Sequence, residues 1–210
     1  MKTKRLIIAI IGIMIFSVSY GQKVIDGGNW AVIDCSGLRT DALKTSVEVA
    51  NSKTDGRLKR HKYDGGLNGN PHVNEKVSPK FAVSKSDITL AGGEQAGATM
   101  NWAQAAGWHT DANTTGADVA LAATGCAQYA PTGSVKGEWR LPTQRELMLI
   151  WVLKRELEKI SGFQTFYAYT LWSATENSSD ASWYVSFTTG GTYYVGFKTY
   201  SNRVRCVRDL

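Results

Sequence analysis

Three cysteines and three histidines are the residues of this 210-residue chain best suited to metal or redox chemistry. They are Cys35, Cys126, Cys206, His61, His72 and His109. No C-x-x-C pair and no Cys/His cluster occurs in the sequence, so the spacing supports neither a zinc site nor a thioredoxin-like redox centre. Because the cysteine count is odd, at most one intramolecular disulfide can form.

An acidic loop at 111–122 weakly resembles a calcium-binding EF-hand loop. Its twelfth position is Ala122, where an EF-hand places a bidentate Glu, so we predict a polar loop and no metal site. Hydrolysis has no visible basis either, since the histidines are scattered and no Gly-x-Ser-x-Gly motif occurs. The sequence therefore predicts a protein that is not an enzyme and needs no cofactor.

Aromatic and polar residues near the end of the chain favour binding instead. Flat aromatic surface beside hydrogen-bonding groups suits a glycan or a protein partner. The alternative is that strand tyrosines fill half-buried positions because of their β-propensity. The candidate ligand-binding residues are Glu176, Asn177, Asp180, Tyr184, Tyr194 and Tyr200.

A β-hairpin must position these tyrosines, because apolar residues alternate with period two on both sides of Gly190-Gly191. We expect a three-residue loop, 189–191, since a two-residue turn would mix polar with apolar partners. In this register Tyr184, Ser186 and Tyr194 share the face opposite the core, which we expect to be the wetter one. The predicted pairs are Trp183 with Phe197, Val185 with Val195, and Phe187 with Tyr193.

Capping signals predict helices before the hairpin. Asn101 with Gln104, and Thr143 with Glu146, have the residue types and spacing of capping boxes. The second helix continues as an apolar stripe to Leu157 and ends at Ser161-Gly162. The other predicted elements are a helical piece at 118–129, short strands at 30–34, 81–83 and 88–90, and a last strand at 203–208.

The first 21 residues have the three parts of a secretory signal: a basic start, an apolar run from Leu6 to Phe16, and small residues at Ser19 and Gly21. We expect cleavage after Gly21 and export to the cell surface or the medium, with the periplasm as an alternative. No later apolar run approaches the ~18 to 20 residues of a membrane-spanning helix. We therefore predict no membrane span in the mature chain, and an oxidising compartment for its cysteines.

The net charge of +6 falls to +3 after the leader, since its three basic residues leave 21 Lys and Arg against 18 Asp and Glu. The basic run at 57–62 has no aromatic residues between its charges, so we interpret it as a solvated loop. No nucleic-acid partner is expected.

Five motifs occur in one order between residues 101 and 209, at 101–105, 126–129, 139–147, 171–176 and 203–209. The third reads Trp-Arg-Leu-Pro-Thr-Gln-Arg-Glu-Leu. This combination resembles the Lcl C-terminal domain family, a C-type-lectin-like fold of bacterial collagen-like adhesins and fimbrial tip subunits. The similarity divides the chain into a signal peptide (1–21), an N-terminal strand and polar loop region (22–80) and the C-type-lectin-like domain (81–210).

The resemblance implies an α+β fold in which two helices pack on a short, mostly antiparallel twisted sheet. It also implies a disulfide between Cys126 and Cys206, which leaves Cys35 unpaired. The implied function is a secreted or cell-surface adhesion or recognition module that binds glycan or a host or partner protein. The alternative is a structural subunit that docks other fimbrial subunits at the tip of a fimbria-like assembly.

A formylglycine-generating oxidase is the least favoured alternative. Such enzymes share the Arg-Leu-Pro-Thr-x-x-Glu motif on a related fold, but they require a reactive cysteine pair near the C-terminus. Only Cys206 is available there.

Overall fold

The computed structural model describes residues 23–36, 78–107, 124–177 and 180–210. These residues form an α+β architecture of short helices and two antiparallel-rich sheets. The helices are α1 (Trp102–Ala106), α2 (Gly125–Gln128), α3 (Gln144–Val152) and α4 (Lys154–Leu157). The strands are β1 (Lys23–Asp26), β2 (Trp30–Asp34), β3 (Lys80–Ser84), β4 (Thr99–Met100), β5 (Thr170–Glu176), β6 (Ala181–Ser186), β7 (Thr192–Phe197), β8 (Asn202–Arg203) and β9 (Val207–Asp209).

Several predicted features lie outside the described residues. They are the leader (1–21), the basic run (57–62), the calcium-like loop (111–122) and the first part of the helical piece at 118–129.

The first sheet joins the N-terminal strands to the end of the chain. Its order is β1-β2-β3-β9, and each neighbouring pair is antiparallel. Residues alternate between two cores: Ala82 of β3 packs in the first core, the apolar cluster around Trp102 and Trp139, while Phe81 and Val83 pack in the second core, the cluster around Leu147 and Ile150. The predicted strand at 30–34 is confirmed as β2, which pairs with β1 and β3.

The second sheet has the order β4-β8-β5-β6-β7, with one parallel contact between β5 and β8. It too separates the two cores. Trp172 lies in the first core, around Trp102 and Trp139, whereas Leu171 and Val185 lie in the second core against α3. The single sheet that we expected is therefore two sheets, which share two apolar cores.

Both predicted helix starts are confirmed. The Asn101 Oδ1 atom accepts a hydrogen bond from the Gln104 N–H at 2.9 Å. Thr143 Oγ1 accepts from the Glu146 N–H at 3.1 Å, and the Glu146 carboxylate accepts from the Thr143 N–H at 2.8 Å. These reciprocal bonds satisfy backbone donors that an α-helix leaves without partners in its first turn.

The predicted disulfide joins Cys126 in α2 to Cys206 just before β9, with a Cα–Cα distance of 5.4 Å. Cys35, at the end of β2, is a free thiol and fully buried. Burial, with a contribution from the Asp34 carboxylate, raises the pKa of the Cys35 thiol to about 11. The cross-link fixes α2 to the segment that leads into β9, while the third cysteine serves as a core residue.

The predicted last strand, 203–208, is wrong as one element. It is split between β8 and β9, which belong to different sheets. Between them Arg205 is fully buried, its Nε donates to Asp87 Oδ1 at 3.1 Å, and its guanidinium also donates to the Ser84 and Gln164 carbonyl oxygens. These acceptors offset the cost of burying a charge at the point where the chain passes from one sheet to the other.

The predicted hairpin register is also wrong. The observed pairs are Ala181 with Phe197, Ser182 with Gly196, Tyr184 with Tyr193, and Val185 with Thr192. The loop is four residues long, 187–190, because the Ser186 N–H bonds to the Gly191 carbonyl and the Gly190 N–H bonds back to the Ser186 carbonyl. A bulge opposite Trp183 then shifts the pairing by one further residue.

Tertiary contacts explain the longer loop. Phe187 is buried in the second core and its N–H donates to the Tyr169 carbonyl at 2.8 Å, so it continues the pairing with the β5 side and not with β7. Gly190 has a φ of 75° and lies against Trp151 of α3, where a Cβ atom would come within 2.5 Å of the ring. The hairpin tip is thus fastened to a helix.

Candidate ligand-binding surface

Three aromatic rings cross the second sheet from its core to its edge. Trp172 of β5 is fully buried, and its Nε1 donates to the Met100 carbonyl at 3.1 Å. Tyr184 of β6 meets the Trp172 ring edge to face at 6.2 Å and stacks on Tyr193 of β7 at 5.3 Å. Tyr193, at the sheet edge, is 43% exposed. Tyr184 is therefore half-buried, and its ring packs between the core ring of Trp172 and the surface ring of Tyr193.

Gly196 allows this arrangement. A Cβ atom at Gly196 would lie 2.7 Å from the Trp172 ring and 2.7 Å from Tyr184 Cδ1. The two rings therefore pack directly over the β7 backbone, on the same sheet face as the Ser182 and Gly196 pair.

A second aromatic pair lies at the other end of β7. Phe197 is 42% exposed and Tyr200 is 57% exposed, and their rings meet edge to face at 5.4 Å. The Tyr200 N–H bonds to the Phe197 carbonyl, which fixes the turn that carries both rings. Phe197 pairs with Ala181, so it projects from the face opposite to Tyr184 and Tyr193.

Polar groups flank this pair. The Lys198 N–H donates to the Asp180 carbonyl at 2.8 Å, and the Asn177 N–H donates to the Ala181 carbonyl at 3.0 Å. Asp180 is exposed, and Asn177 is partly exposed. We call Asn177, Asp180, Phe197 and Tyr200 the open-end patch, because they lie at the end of the hairpin away from its loop.

The structure thus divides the predicted ligand-binding residues. It brings Asn177, Asp180 and Tyr200 together in the open-end patch and puts Tyr184 on the other sheet face. The side chains of Glu176 and Tyr194 lie outside the described residues. Their assignment to a ligand site stays a prediction.

Tyr193 and Phe197 are surface residues that the sequence pattern did not reveal. In the predicted register both lie opposite core residues, whereas both are exposed in the observed one. Aromatic residues in a hairpin were the signal that could have identified them as candidate binding residues. Only the correct strand pairing shows which sheet face each ring occupies.

The Arg-Leu-Pro-Thr-x-x-Glu motif has a structural role in this molecule. Arg140 is buried and donates two hydrogen bonds to the Glu146 carboxylate, at 2.7 and 2.8 Å, and one to Asp209 at 2.6 Å. Glu146 is the same residue that caps α3. Burial alone would lower the pKa of Arg140, but the Asp209 and Glu146 carboxylates more than offset it and raise that pKa. The motif therefore ties α3 to the final strand.

Metal ligands do not converge in the part of the chain that the structure describes, where no group of three or more His, Cys, Asp or Glu side chains could hold an ion. No helix among those residues is both long and apolar enough to cross a membrane.

Comparison with known proteins identifies the family of the chain. The model of the Lcl C-terminal domain matches residues 74–208, well over half of the chain. A search of the curated proteins finds no match. The matched range includes the buried Arg140 and Glu146 pair, both disulfide cysteines and the open-end patch. The chain therefore belongs to the Lcl C-terminal domain family.

Proposed function

We propose that this protein is an exported adhesion or recognition module whose open-end patch binds glycan. The family indicates a surface or secreted module. The observation that carries the proposal is the exposed Phe197 and Tyr200 pair, which offers two aromatic faces at a fixed angle. Aromatic rings bind the apolar faces of sugars, and an adjacent carboxylate and amide supply hydrogen bonds to hydroxyl groups.

The fold that we propose is the C-type-lectin-like one. The Cys126 to Cys206 bond, which joins a helix to the segment before the last strand, supports this assignment. A disulfide also fits export, because such bonds persist in oxidising compartments.

A binding role without catalysis is the simplest account of the same cysteine chemistry. Cys206 is committed to the disulfide and fully buried, so it cannot serve as the reactive thiol of a formylglycine-generating type of site. The residues of the open-end patch supply aromatic surface and hydrogen-bonding groups, which is what an adhesion module requires.

A glycan array tests the proposal. The mature chain, verified as a monomer by size-exclusion chromatography, should give saturable binding to a subset of glycans, and the free glycan should compete. Absence of glycan binding, together with self-association or capture of fimbrial subunits, would favour the alternative of a structural subunit in a fimbria-like assembly.

A further inference from the structure

A concave surface lies between the β1–β2 turn, the loop at 92–94 and the loop at 129–132. It is a cleft of about 330 Å³. This volume is near the lower end of the ~300 to 1,000 Å³ range of small-molecule sites. The lining residues that matter here are Asn29, Gly92, Glu94, Tyr129, Pro131 and Thr132.

The walls of this cleft are held by contacts across the chain. Tyr129 is 2% exposed, its ring meets Trp139 edge to face at 4.8 Å, and its hydroxyl donates to Glu94 Oε1 at 2.6 Å. The Asn29 side-chain amide donates to the Thr132 carbonyl at 2.9 Å. These bonds fix three separate segments before any ligand arrives, which lowers the entropic cost of binding.

Backbone geometry brings the loop at 89–94, which contains Gly92 and Gly93, close to the Tyr129 segment. Gly92 has a φ of 80°, and a Cβ atom there would lie 2.6 Å from the Gln128 carbonyl carbon. The Thr89 N–H bonds to the Gly93 carbonyl at 2.8 Å, and Ile88 forms a β-bridge with Glu94. The loop therefore presents Glu94 from a closed turn.

The chemistry of the lining selects the ligand class. Of the described residues that line the cleft, Glu94 alone carries a formal charge, so an anionic ligand would meet repulsion and no cation. Burial, followed by the hydrogen bond to Glu94, raises the pKa of Tyr129, so its hydroxyl stays protonated and one carboxylate oxygen remains for another donor. Asn29 and Thr132 add neutral donors and acceptors, and Pro131 adds apolar surface.

We infer that this cleft is a second carbohydrate site. It binds a neutral saccharide whose hydroxyl groups donate hydrogen bonds to the Glu94 carboxylate. A saccharide uses the several neutral donors and acceptors around the cleft as well as the carboxylate, whereas a simple ammonium ion would use the carboxylate alone. The inference does not rest on the open-end patch, because the two sites share no residue.

The test is a titration of ¹⁵N-labelled mature protein with methyl α-D-mannopyranoside, methyl β-D-galactopyranoside and N-acetyl-D-glucosamine, followed by amide NMR. We expect saturable shifts at Gly92, Gly93 and the Asn29 side chain with at least one sugar. Glu94→Gln keeps an acceptor for Tyr129 but removes the charge, and it should raise the Kd about tenfold. Gln95→Ala, at an exposed neighbour outside the cleft, should leave the Kd unchanged.

Three results would overturn the inference. One is the absence of cleft shifts with every sugar up to about 50 mM, a concentration that would reveal a millimolar Kd. Another is tighter binding of n-butylammonium than of any sugar at the same amides. The third is an unchanged Kd in Glu94→Gln. Shifts confined to Phe197 and Tyr200 would support the open-end patch and reject the cleft, so the two proposals fail separately.

Discussion

Tyr184 stacks on Tyr193 with ring planes 18° from parallel, and this contact connects the core of the protein to the edge of its second sheet. On its other side Tyr184 meets the buried Trp172 ring at an interplanar angle of 86°. Tyr184 therefore contributes mainly to stability. Tyr193, on the outer side of Tyr184, is 43% exposed.

Truncation of Tyr184 and of Tyr193 to Ala should show how much each ring contributes to the free energy of unfolding. A fully buried aromatic truncated to Ala costs ~3 to 5 kcal/mol, so the half-buried Tyr184→Ala should lower the free energy of unfolding by about 2 kcal/mol. Tyr193→Ala removes a ring that is 43% exposed and should cost less than about 1 kcal/mol. Urea denaturation measures both.

Tyr167→Ala is the matched control, because Tyr167 is 64% exposed. It should change the free energy of unfolding by no more than about 0.5 kcal/mol. Equal losses for Tyr184→Ala and Tyr193→Ala would show that the observed cross-strand pairing is incorrect.

The buried ion pair of Arg140 should be far more sensitive than a surface pair. Arg140→Met leaves the Glu146 and Asp209 carboxylates without their cation, and breaking a buried pair in this way costs ~3 to 5 kcal/mol. Lys159→Met provides the comparison, since Lys159 and Glu156 form an exposed pair worth about 0 to 1 kcal/mol. Similar midpoints of denaturation for the two variants would argue against a structural role for the motif.

The disulfide should be a large contributor to stability. The chain-entropy model assigns about 4.5 kcal/mol to a cross-link across a separation of 80 residues, before any correction for strain. The double variant Cys126→Ala and Cys206→Ala should therefore unfold at a clearly lower urea concentration than the wild type. Non-reducing peptide mapping should find the Cys126 to Cys206 peptide, and a bridge that involves Cys35 would contradict the assignment.

Cys35 should behave as a core residue whose contribution to the free energy of unfolding depends on pH. Its thiol should resist alkylation in the folded protein and react once urea unfolds the chain, because no part of it is exposed. Its pKa is raised from 9.0 to about 11, so the folded state holds the proton while the unfolded thiol ionises. The stability that Cys35 adds relative to Cys35→Ala is thus complete below pH 9 and lost as the pH rises towards 11.

Denaturation of both proteins at a series of alkaline pH values measures this difference. A difference that stays constant from pH 8 to 11, or alkylation of the folded protein at the rate of a free thiol, would show that Cys35 is accessible.

Features that depend on neighbouring residues could be predicted from the sequence, whereas features that depend on long-range packing could not. The helix starts at Asn101 and Thr143 depend on residues three positions apart, so their capping boxes could be predicted. The hairpin register depends on Phe187 bonding to Tyr169 and on Gly190 lying against Trp151, and neither contact is visible in the alternation of residues.

The same distinction holds for the candidate sites. The proximity of Asn177, Asp180 and Tyr200 followed from their position around one hairpin. The cleft joins Asn29 to Glu94 and Thr132, which are far apart in sequence, and only the fold brings them together. Arg205, which lies in the break of the last strand, likewise reaches Asp87 at a separation of 118 residues.

The most direct test of glycan binding by the open-end patch is a glycan array probed with the mature protein. Three proteins are compared: the wild type, a Phe197→Ser and Tyr200→Ser double variant, and Tyr167→Ser. We predict that the double variant loses at least tenfold in affinity for the glycans that the wild type binds, while its melting temperature stays close to that of Tyr167→Ser. Full glycan binding by a folded double variant would contradict the assignment of the open-end patch.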